Sequence, residues 1–487
     1  MAPDYGFGYG FATLQNPSWT LEQILQACNG RLLSDGDKLA AFRCISTDSR
    51  TIKPGDVFLA LKGQSFDGAD YVQEALKKGA ACVVTERLPE KDCPVPCVIV
   101  DDSLRALGDM AGYRRDLLRN LKVIGITGSS GKTTVKEMTA SILEHHGRVV
   151  KTKGNFNNLI GLPLSLLPAD YHHEFALLEM GMNSEGEIAR LTEIANPDVA
   201  CILNVHNAHI EGLGSIEGVA RAKGELFQGC SAEAKLIVNI DDARVTALAD
   251  GLQAQKITFG LRKGADVRAT RIVNKGLHGM VFTLHVGLVK GRVSTKTVGL
   301  HNVSNCLAAA AIAHALDVNC EDIIYGLKNY EPAAKRLEIG MHSSGILLVN
   351  DSYNANPASM RAAIETVSGM RKGEKAVAVL GDMLELGDYG MTAHREIGTM
   401  VARNAFSYLL AVGEYSAVLV KAARMAGMDA NTAFSFADKE ALTERLVELI
   451  RGRLLRKGDI ILFKGSRGMR METVIDHLMI AGKIAAA

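Results

Sequence analysis

The chain of 487 residues is longer than one hydrophobic core usually organises, so about three domains are expected. Its 55 basic and 54 acidic residues give a net charge of +1, which excludes the strongly basic surface typical of proteins that bind nucleic acid or anionic lipid. No apolar run is long enough to cross a bilayer, and the N-terminal segment lacks the cationic start of a signal peptide. We therefore expect a cytoplasmic protein whose partners include neither nucleic acid nor a membrane.

The first region, residues 1–118, is predicted to be a mixed α/β domain. It contains the amphipathic segment TLEQILQAC, the strand-like DVFLAL and AACVVT, and the helix-like YVQEALKKG. The glycines and aromatic residues before residue 20 predict a flexible extension. Nine scattered cysteines, of which only Cys93 and Cys97 stand close together, predict reduced thiols rather than disulfides or a zinc site.

From residue 119, the strand LKVIGI, the turn GSSGKT and the helical pattern TVKEMTASILEHHG follow one another. Such a turn offers backbone N–H groups and a helix N-terminus to phosphate oxygens, with Lys132 as a charge and Thr133 as a hydroxyl for Mg²⁺. The usual G-x4-G-K spacing is not met, because Ile126 stands where the first glycine would be. A nucleoside triphosphate site is predicted, with a turn that holds no ligand as the alternative. The predicted phosphate-binding residues are Gly128, Ser129, Ser130, Gly131, Lys132, Thr133 and Thr134.

Further alternation of strands, loops and helices up to residue 333 predicts a parallel sheet covered by helices. Glu179 ends the apolar strand FALLE, where a carboxylate can bind Mg²⁺, although a solvated glutamate is the commoner outcome. The stretch NVHNAHIEGLGSIEGVARAKGELF adds His206, His209 and Lys223. On their own, the two histidines are equally compatible with loop packing.

The strand and helix pattern restarts near residue 334 and predicts a second doubly wound sheet over residues 334–487. Its strands are ILLVN, KAVAVLG, YLLAVG and DIILFK. Ligands bind beyond the carboxyl ends of strands in such sheets, so the polar segments that follow these strands are expected to face a ligand.

Five segments of the central region resemble, in their order, the central domain of the Mur ligases, the ATP-dependent amide-forming enzymes of peptidoglycan assembly. They are TGSSGKT, LLEMGMN, NVHNAHIEGLGS, RAKGELF and HNVSNCLAAAAIA. The first region adds TDSR and GDVFLALKGQSFDGADYVQEALKKGA, and the third adds KRLE, VNDSYNANPASM, VLGDMLELG and FKGSRGMRME. The third region is most similar to the family branch that adds a dipeptide. The resemblance implies an α/β protein with a UDP-sugar-binding domain over 1–118, a P-loop ATPase domain over 119–333 and a Rossmann-like domain over 334–487.

By this resemblance the chain uses ATP and two Mg²⁺ ions. Lys132 and Thr133 would contact the β- and γ-phosphates, while Glu179 and His209 would hold the metal ions. Lys223 would carry a carbamate, which turns a cation into an anionic oxygen ligand suited to the second Mg²⁺. An unmodified exposed lysine is the alternative for that position.

Other implied contacts lie around this centre. His301, Asn302 and Asn305 would contact the adenine, and a helix N-cap by Asn302 or Ser304 is the competing account. Arg336, whose planar fork suits phosphate oxygens, would reach the γ-phosphate, and Asp351 would contact the ribose or orient its loop. Implied substrate-binding residues are Ser46, Thr47, Asp48, Ser49 and Arg50 for UDP, Asn155 and Asn158 for the muramoyl peptide, and Asn354, Asn356, Lys464, Ser466 and Arg467 in the third domain.

The implied reaction begins when ATP phosphorylates the terminal carboxylate of UDP-MurNAc-tripeptide. The amine of D-Ala-D-Ala then attacks the acyl phosphate to give UDP-MurNAc-pentapeptide. Positioning and cations can supply most of the rate enhancement, so no protein nucleophile is required, and we expect a monomer that closes around residues 332–336. The alternatives left open are a sister ligase that adds a single amino acid and a binding module gated by nucleotide.

Overall fold

The computed structural model describes residues 18–33, 37–63, 66–89, 92–208 and 210–484. Residues 1–17 of the predicted N-terminal extension and His209 lie outside these residues. The extension was predicted to reach residue 20, and this end of it is wrong, because Trp19–Thr20 form a strand. No helix among the described residues is long and apolar enough to span a bilayer.

The elements before residue 118 are mainly short strands, and two of the three helices have an N-cap side chain that accepts a backbone N–H, Thr20 for the first and Asp102 for the third. Thr20, for example, forms a capping box with Gln23 at the start of the first helix. The strands are β1 (Trp19–Thr20), β2 (Arg31–Leu32), β3 (Ala41–Phe42), β4 (Ile45–Ser46), β5 (Val57–Leu59), β6 (Cys82–Thr85) and β7 (Cys97–Ile99). The helices are α1 (Leu21–Cys28), α2 (Val72–Lys77) and α3 (Ser103–Leu117).

Between residues 122 and 329 the predicted alternation of strands and helices is confirmed. The strands are β8 (Lys122–Thr127), β9 (Arg148–Lys151), β10 (His173–Glu179), β11 (Val199–Ile202), β12 (Lys235–Asn239), β13 (Gln255–Gly260), β14 (Val267–Asn274), β15 (Met280–Val286) and β16 (Val289–Thr295). The helices are α4 (Lys132–Leu143), α5 (Gly161–Leu166), α6 (Glu187–Ala195), α7 (Ile210–Leu213), α8 (Ile216–Gln228), α9 (Ala243–Ala249), α10 (Leu300–Ala315) and α11 (Cys320–Asn329).

The remaining elements form a sheet with helices from residue 338 onward. The strands are β17 (Glu338–Met341), β18 (Leu347–Asn350), β19 (Ala376–Leu380), β20 (Tyr408–Val412), β21 (Ala433–Phe436) and β22 (Ile460–Lys464). The helices are α12 (Pro357–Met370), α13 (Gly390–Arg403), α14 (Ser416–Met425), α15 (Lys439–Arg451) and α16 (Glu472–Ile484).

These elements divide into two compact units. The first contains the described residues of Met1–Val123, Gly147–Met180 and Arg190–Asn196, and the second contains those of Ile124–His146, Gly181–Ala189 and Pro197–Ala487. In the first unit a sheet runs in the order β2-β7-β6-β5-β4, antiparallel only between β2 and β7. The same unit contains the antiparallel pair β1-β3 and the parallel pair β9-β10.

The second unit contains two sheets. In one, the strands run β16-β15-β14-β13-β12-β11-β8 and are parallel from β8 to β14. The other is a six-stranded sheet in the order β17-β18-β22-β19-β20-β21, parallel except for β17. The predicted α/β class with parallel sheets is confirmed.

The six-stranded sheet is buried on both faces, as a doubly wound fold requires. Within β19, Ala376, Ala378 and Leu380 join one apolar cluster, while Val377 and Val379 join another on the opposite face. This alternation follows from the two-residue period of a strand, and burial on both faces explains why β19 reads as a continuous apolar run.

The antiparallel ladder formed by β14, β15 and β16 was not predicted. Its signal was present in MVFTLHV, the sequence of β15, whose residues alternate between buried and half-buried positions. Period-2 alternation of this kind indicates a strand with one covered face.

Candidate active site

The loop between β8 and α4 has the form of an anion-binding turn. Gly131 is the N-cap of α4 with φ of 89°, and a Cβ there would lie 2.6 Å from Oδ1 of Asn305, so only glycine fits. The helix begins at Lys132, which places its positive dipole end and its first N–H groups beyond β8. The Lys132 Nζ donates to the carbonyl of Gly128 at 2.6 Å, so this side chain folds back across the loop.

Asn204, which follows β11, braces this phosphate loop and was not predicted. Its Oδ1 accepts the N–H of Ser130 at 2.9 Å, and its Nδ2 donates to the Ser130 carbonyl at 3.1 Å. The Ser129 N–H donates to the Asn204 carbonyl at 3.1 Å, and the His206 N–H donates to the Ser129 hydroxyl at 2.9 Å. The available signal was NVHN at the carboxyl end of β11, the parallel neighbour of β8.

Arg336, for which a γ-phosphate contact was predicted, lies at the first turn of α4. Its Nη2 donates to the Thr133 hydroxyl at 2.8 Å, and its guanidinium carbon lies 4.1 Å from the centroid of the Tyr353 ring. The Leu337 N–H donates to Oδ1 of Asp351 at 3.1 Å, and the Tyr353 N–H donates to the Lys335 carbonyl at 3.2 Å. The segment that carries Arg336 is therefore held on the loop that follows β18.

The same loop places Asn356 against the phosphate loop and leaves Asn354 exposed. The Asn356 Nδ2 donates to the Ser129 carbonyl and to the Ser130 hydroxyl, both at 3.1 Å. The Oδ1 of Asn354 accepts the N–H of Ala355 at 2.9 Å. The structure thus brings a predicted substrate residue, Asn356, onto the predicted nucleotide loop.

Lys223 lies within α8 and is only 1% exposed. Its Nζ contacts the sulfur of Met182 at 3.5 Å. Burial, aided by the nearby charge of Lys132, holds the pKa of Lys223 well below its usual value of 10.5. The alternative of an ordinary exposed lysine is therefore wrong, and the amine is favoured in its neutral, nucleophilic form.

Lys464 ends β22 and is 2% exposed, but its surroundings differ. Its Nζ forms an ion pair with Oδ2 of Asp351 and donates to the Asn354 carbonyl at 3.0 Å. Ser466 is also buried, and its hydroxyl accepts the Leu384 N–H at 2.8 Å and donates to the Ala355 carbonyl at 3.3 Å. Lys464, Ser466 and Arg467 were predicted to contact the dipeptide. Of these three residues only Arg467 is exposed, and it forms an ion pair with Glu472 at 2.8 Å.

The three predicted adenine residues lie in the first turns of α10. The N-cap of this helix is Gly299, so the competing account in which Asn302 or Ser304 caps it is wrong. The Asn302 Nδ2 donates to the Val298 carbonyl at 2.8 Å, and the Asn305 Nδ2 donates to Oδ1 of Asn302 at 2.9 Å. Burial lowers the pKa of His301 to about 4, so this ring is neutral at physiological pH.

Within the first unit, Glu179 is the last residue of β10 and is 2% exposed. Its backbone N–H donates to the Thr152 hydroxyl at 3.0 Å. His209, its predicted partner in metal binding, lies outside the described residues. Among the described residues, no group of three or more His, Cys, Asp or Glu side chains is arranged to hold a metal ion.

The predicted UDP segment forms a tight polar turn after β4. The Arg50 guanidinium donates to both oxygens of Asp48, at 2.9 and 2.8 Å, and these bonds lower the pKa of Asp48 to about 2. The Ser46 hydroxyl accepts the Asp48 N–H at 3.2 Å, and Ser49 is buried. Asn155 and Asn158 are exposed between β9 and α5, where Oδ1 of Asn158 accepts the Gly161 N–H at 2.9 Å.

Family models named Mur ligase family catalytic domain, Mur ligase middle domain and Mur ligase glutamate ligase domain match residues 41–115, 126–313 and 335–467. A relative from Escherichia coli, named UDP-N-acetylmuramoyl-tripeptide–D-alanyl-D-alanine ligase, is 36% identical over 474 residues, which cover 96% of this chain and 99% of the relative. A crystal structure of MurF from Acinetobacter baumannii matches with a TM-score of 0.89 at 35% identity, covering 96% of this chain and 99% of that chain. MurF ligase from Thermotoga maritima in complex with ADP matches with a TM-score of 0.78 at 28% identity, covering 91% of this chain and 98% of that chain.

Proposed function

The chain belongs to the Mur ligase family, and on that premise we propose that it joins D-alanyl-D-alanine to UDP-MurNAc-tripeptide with conversion of ATP to ADP and phosphate. The product is UDP-MurNAc-pentapeptide for peptidoglycan synthesis. The observation that carries this proposal is the near full-length similarity to proteins named UDP-N-acetylmuramoyl-tripeptide–D-alanyl-D-alanine ligase or MurF. This similarity includes the region where the incoming dipeptide is expected to bind.

The chain's own residues account for phosphate handling. The loop from Gly128 to Gly131 and the N-terminus of α4 bind the phosphates, and Lys132 leaves the Gly128 carbonyl to contact them. Arg336, already hydrogen-bonded to Thr133, adds a guanidinium beside the transferred phosphate. The phosphate passes to the tripeptide carboxylate, and the dipeptide amine displaces it from the resulting acyl phosphate.

Each unit contains a hard oxygen ligand of the kind that Mg²⁺ binds: the second unit has the Thr133 hydroxyl, and the first unit has the buried Glu179 carboxylate. Two Mg²⁺ ions would neutralise the crowded phosphate oxygens, and His209 would complete the metal ligands. Lys223 fits a carbamate, since its neutral amine can add to CO₂ with release of one proton and so become an anionic oxygen ligand. Enclosure of Lys223 beside Met182 would protect such a group from hydrolysis.

The substrates would occupy different parts of the chain. UDP would bind at residues 46–50, and the muramoyl peptide would bind near Asn155 and Asn158. For the dipeptide carboxylate we propose Arg467, because Lys464 and Ser466 are buried and hold the loop that carries Asn354. Domains over 1–118, 119–333 and 334–487, a monomeric state and a cytoplasmic location belong to the same proposal.

The test is a comparison of two incoming amines. With ATP, Mg²⁺ and UDP-MurNAc-tripeptide, the protein should form the pentapeptide with D-Ala-D-Ala and should release ADP in equal amount. A sister ligase would instead consume a single diamino acid with UDP-MurNAc-dipeptide, and a nucleotide-gated module would form neither amide. Ligation of the single amino acid at the higher kcat/KM would overturn the proposal.

A further inference from the structure

Asn356 performs two structural tasks with one side chain. It is the N-cap of α12, where its Oδ1 accepts the Ser359 N–H at 2.8 Å and its own N–H donates to the Ser359 hydroxyl at 3.0 Å. A cap uses only the side-chain oxygen, so serine, threonine or aspartate would serve this helix equally well. The amide nitrogen is the feature that only asparagine supplies here, and it points to the phosphate loop.

The carbonyls of three successive loop residues are each held by a side-chain nitrogen. Lys132 binds the carbonyl of Gly128, Asn356 that of Ser129 and Asn204 that of Ser130. The N–H groups of Ser129 and Ser130 are both bonded to Asn204, so hydrogen bonds hold the backbone of these two residues on both its N–H and its carbonyl side. Asn356 is the member of this set that comes from the C-terminal region.

We propose that Asn356 is a positioning residue that holds Ser129 and Ser130 in the shape that receives the nucleotide phosphates. The shape of the phosphate loop then depends on the docking of the C-terminal sheet, where the incoming dipeptide is expected to bind. By thermodynamic reciprocity, a nucleotide that favours this shape also favours the docked position of that sheet. The inference adds a positioning residue to the proposed function. It rests on that function only in the ligation assay, whereas the ADP titration does not depend on it.

The experiment uses Asn356→Ser and Asn356→Asp, which both retain an N-cap and remove the donor. ADP binding should weaken about tenfold in Asn356→Ser, since two hydrogen bonds worth roughly threefold apiece are lost, and by more in Asn356→Asp, whose carboxylate also repels the phosphates. In the ligation assay kcat/KM for ATP should fall about tenfold, while KM for UDP-MurNAc-tripeptide stays within about twofold. Melting temperatures should match the wild type, because the cap remains.

Ser130→Ala supplies the matched partner variant. It removes the hydroxyl that Asn356 contacts, and its effect on ADP affinity should be smaller in the Asn356→Ser background because part of that effect passes through Asn356. Unchanged ADP affinity in both Asn356 variants, or additive effects in the double variant, would overturn the inference. Absence of ligation by the wild type would instead refute the proposed function, and ADP titration would still decide the role of Asn356.

Discussion

Lys223 and Lys464 are both almost completely buried in the second unit, and their surroundings differ. Lys464, beside the C-terminal sheet, forms an ion pair with Asp351 and donates to the Asn354 carbonyl. Lys223, in α8, contacts the sulfur of Met182, and no carboxylate among the described residues of its unit forms an ion pair with it. Lys464 thus fixes a loop, whereas burial lowers the pKa of Lys223 and so favours its neutral amine.

The difference indicates how burial can serve stability in one region and chemistry in another. A buried ammonium that pairs with a carboxylate and donates to a carbonyl has its charge and hydrogen bonds compensated. Its removal leaves these two partners buried without a hydrogen-bond donor. A buried lysine without such a partner costs stability unless it is neutral or modified, and such a residue is a candidate for function. We expect substitutions at the two lysines to separate activity from stability.

The largest expected effect is the loss of activity in Lys223→Ala. Turnover should fall by about a thousandfold or more, because an anionic metal ligand is lost, while the melting temperature changes little. A steady-state ligation assay with a parallel melting curve measures both. Lys223→Arg is the matched control, since it keeps a cation but cannot form a carbamate and should be equally inactive. Intact turnover in either variant would remove the basis for a carbamate; partial rescue of Lys223→Ala by a small carboxylic acid would strengthen it.

Lys464→Met should show the opposite pattern, in which stability falls more than activity. Removal of one partner from the buried pair with Asp351 should lower the free energy of unfolding by about 3 kcal/mol, measured by urea denaturation of the C-terminal region. In the double variant with Asp351→Asn, part of this loss should be recovered because no unpaired carboxylate remains. A single variant as stable as the wild type would show that the pair does not hold the loop.

The pH dependence of stability should distinguish wild type from Lys223→Met in buffer free of CO₂. The pKa of Lys223 is lowered in the folded state, so the unfolded chain binds more protons between that lowered pKa and 10.5. The stability cost of the native lysine is therefore greatest at low pH and disappears as pH rises toward 10.5. The advantage of Lys223→Met in free energy of unfolding, measured by urea denaturation, should shrink from pH 7 to pH 10, by at most about 1.4 kcal/mol per pH unit. A constant advantage across this range would mean that Lys223 is not held neutral.

The smallest expected effect concerns the loop that Lys464 holds. Tyr353→Leu should lower kcat by about threefold to thirtyfold, because the ring under Arg336 contributes roughly 0.5–2 kcal/mol of cation–π attraction. Tyr353→Phe keeps the ring and should retain most of the activity. Equal losses in both variants would assign the effect to the Tyr353 hydroxyl rather than to the position of Arg336.

The phosphate loop could be predicted from sequence because its signal is local. A strand, glycines at a tight turn and a Lys-Thr pair lie within ten residues, and the structure places them at the start of α4. The C-terminal doubly wound sheet could also be predicted from sequence, because β19 and β22 are apolar runs between segments with a helical pattern.

Contacts between distant segments could not be predicted. The bonds that join Asn356 to Ser129, and Asn204 to Ser130, depend on how the chain folds, and the segment NVHN indicates only the sheet edge at which Asn204 lies, not its partner. For the same reason Lys464 was expected at the dipeptide, although it faces Asp351 inside the fold. Sequence indicates which residues carry charge, whereas packing decides which of them remain available.

The most direct test of the proposed reaction follows the oxygen atoms of the tripeptide carboxylate. The protein is given ATP, Mg²⁺, D-Ala-D-Ala and UDP-MurNAc-tripeptide labelled with ¹⁸O in its terminal carboxylate, and the released phosphate is analysed by mass spectrometry. An acyl phosphate predicts that each ligation transfers one carboxylate oxygen to phosphate. Unlabelled phosphate, together with transfer of ³²P from the γ-position of ATP onto the protein, would contradict it.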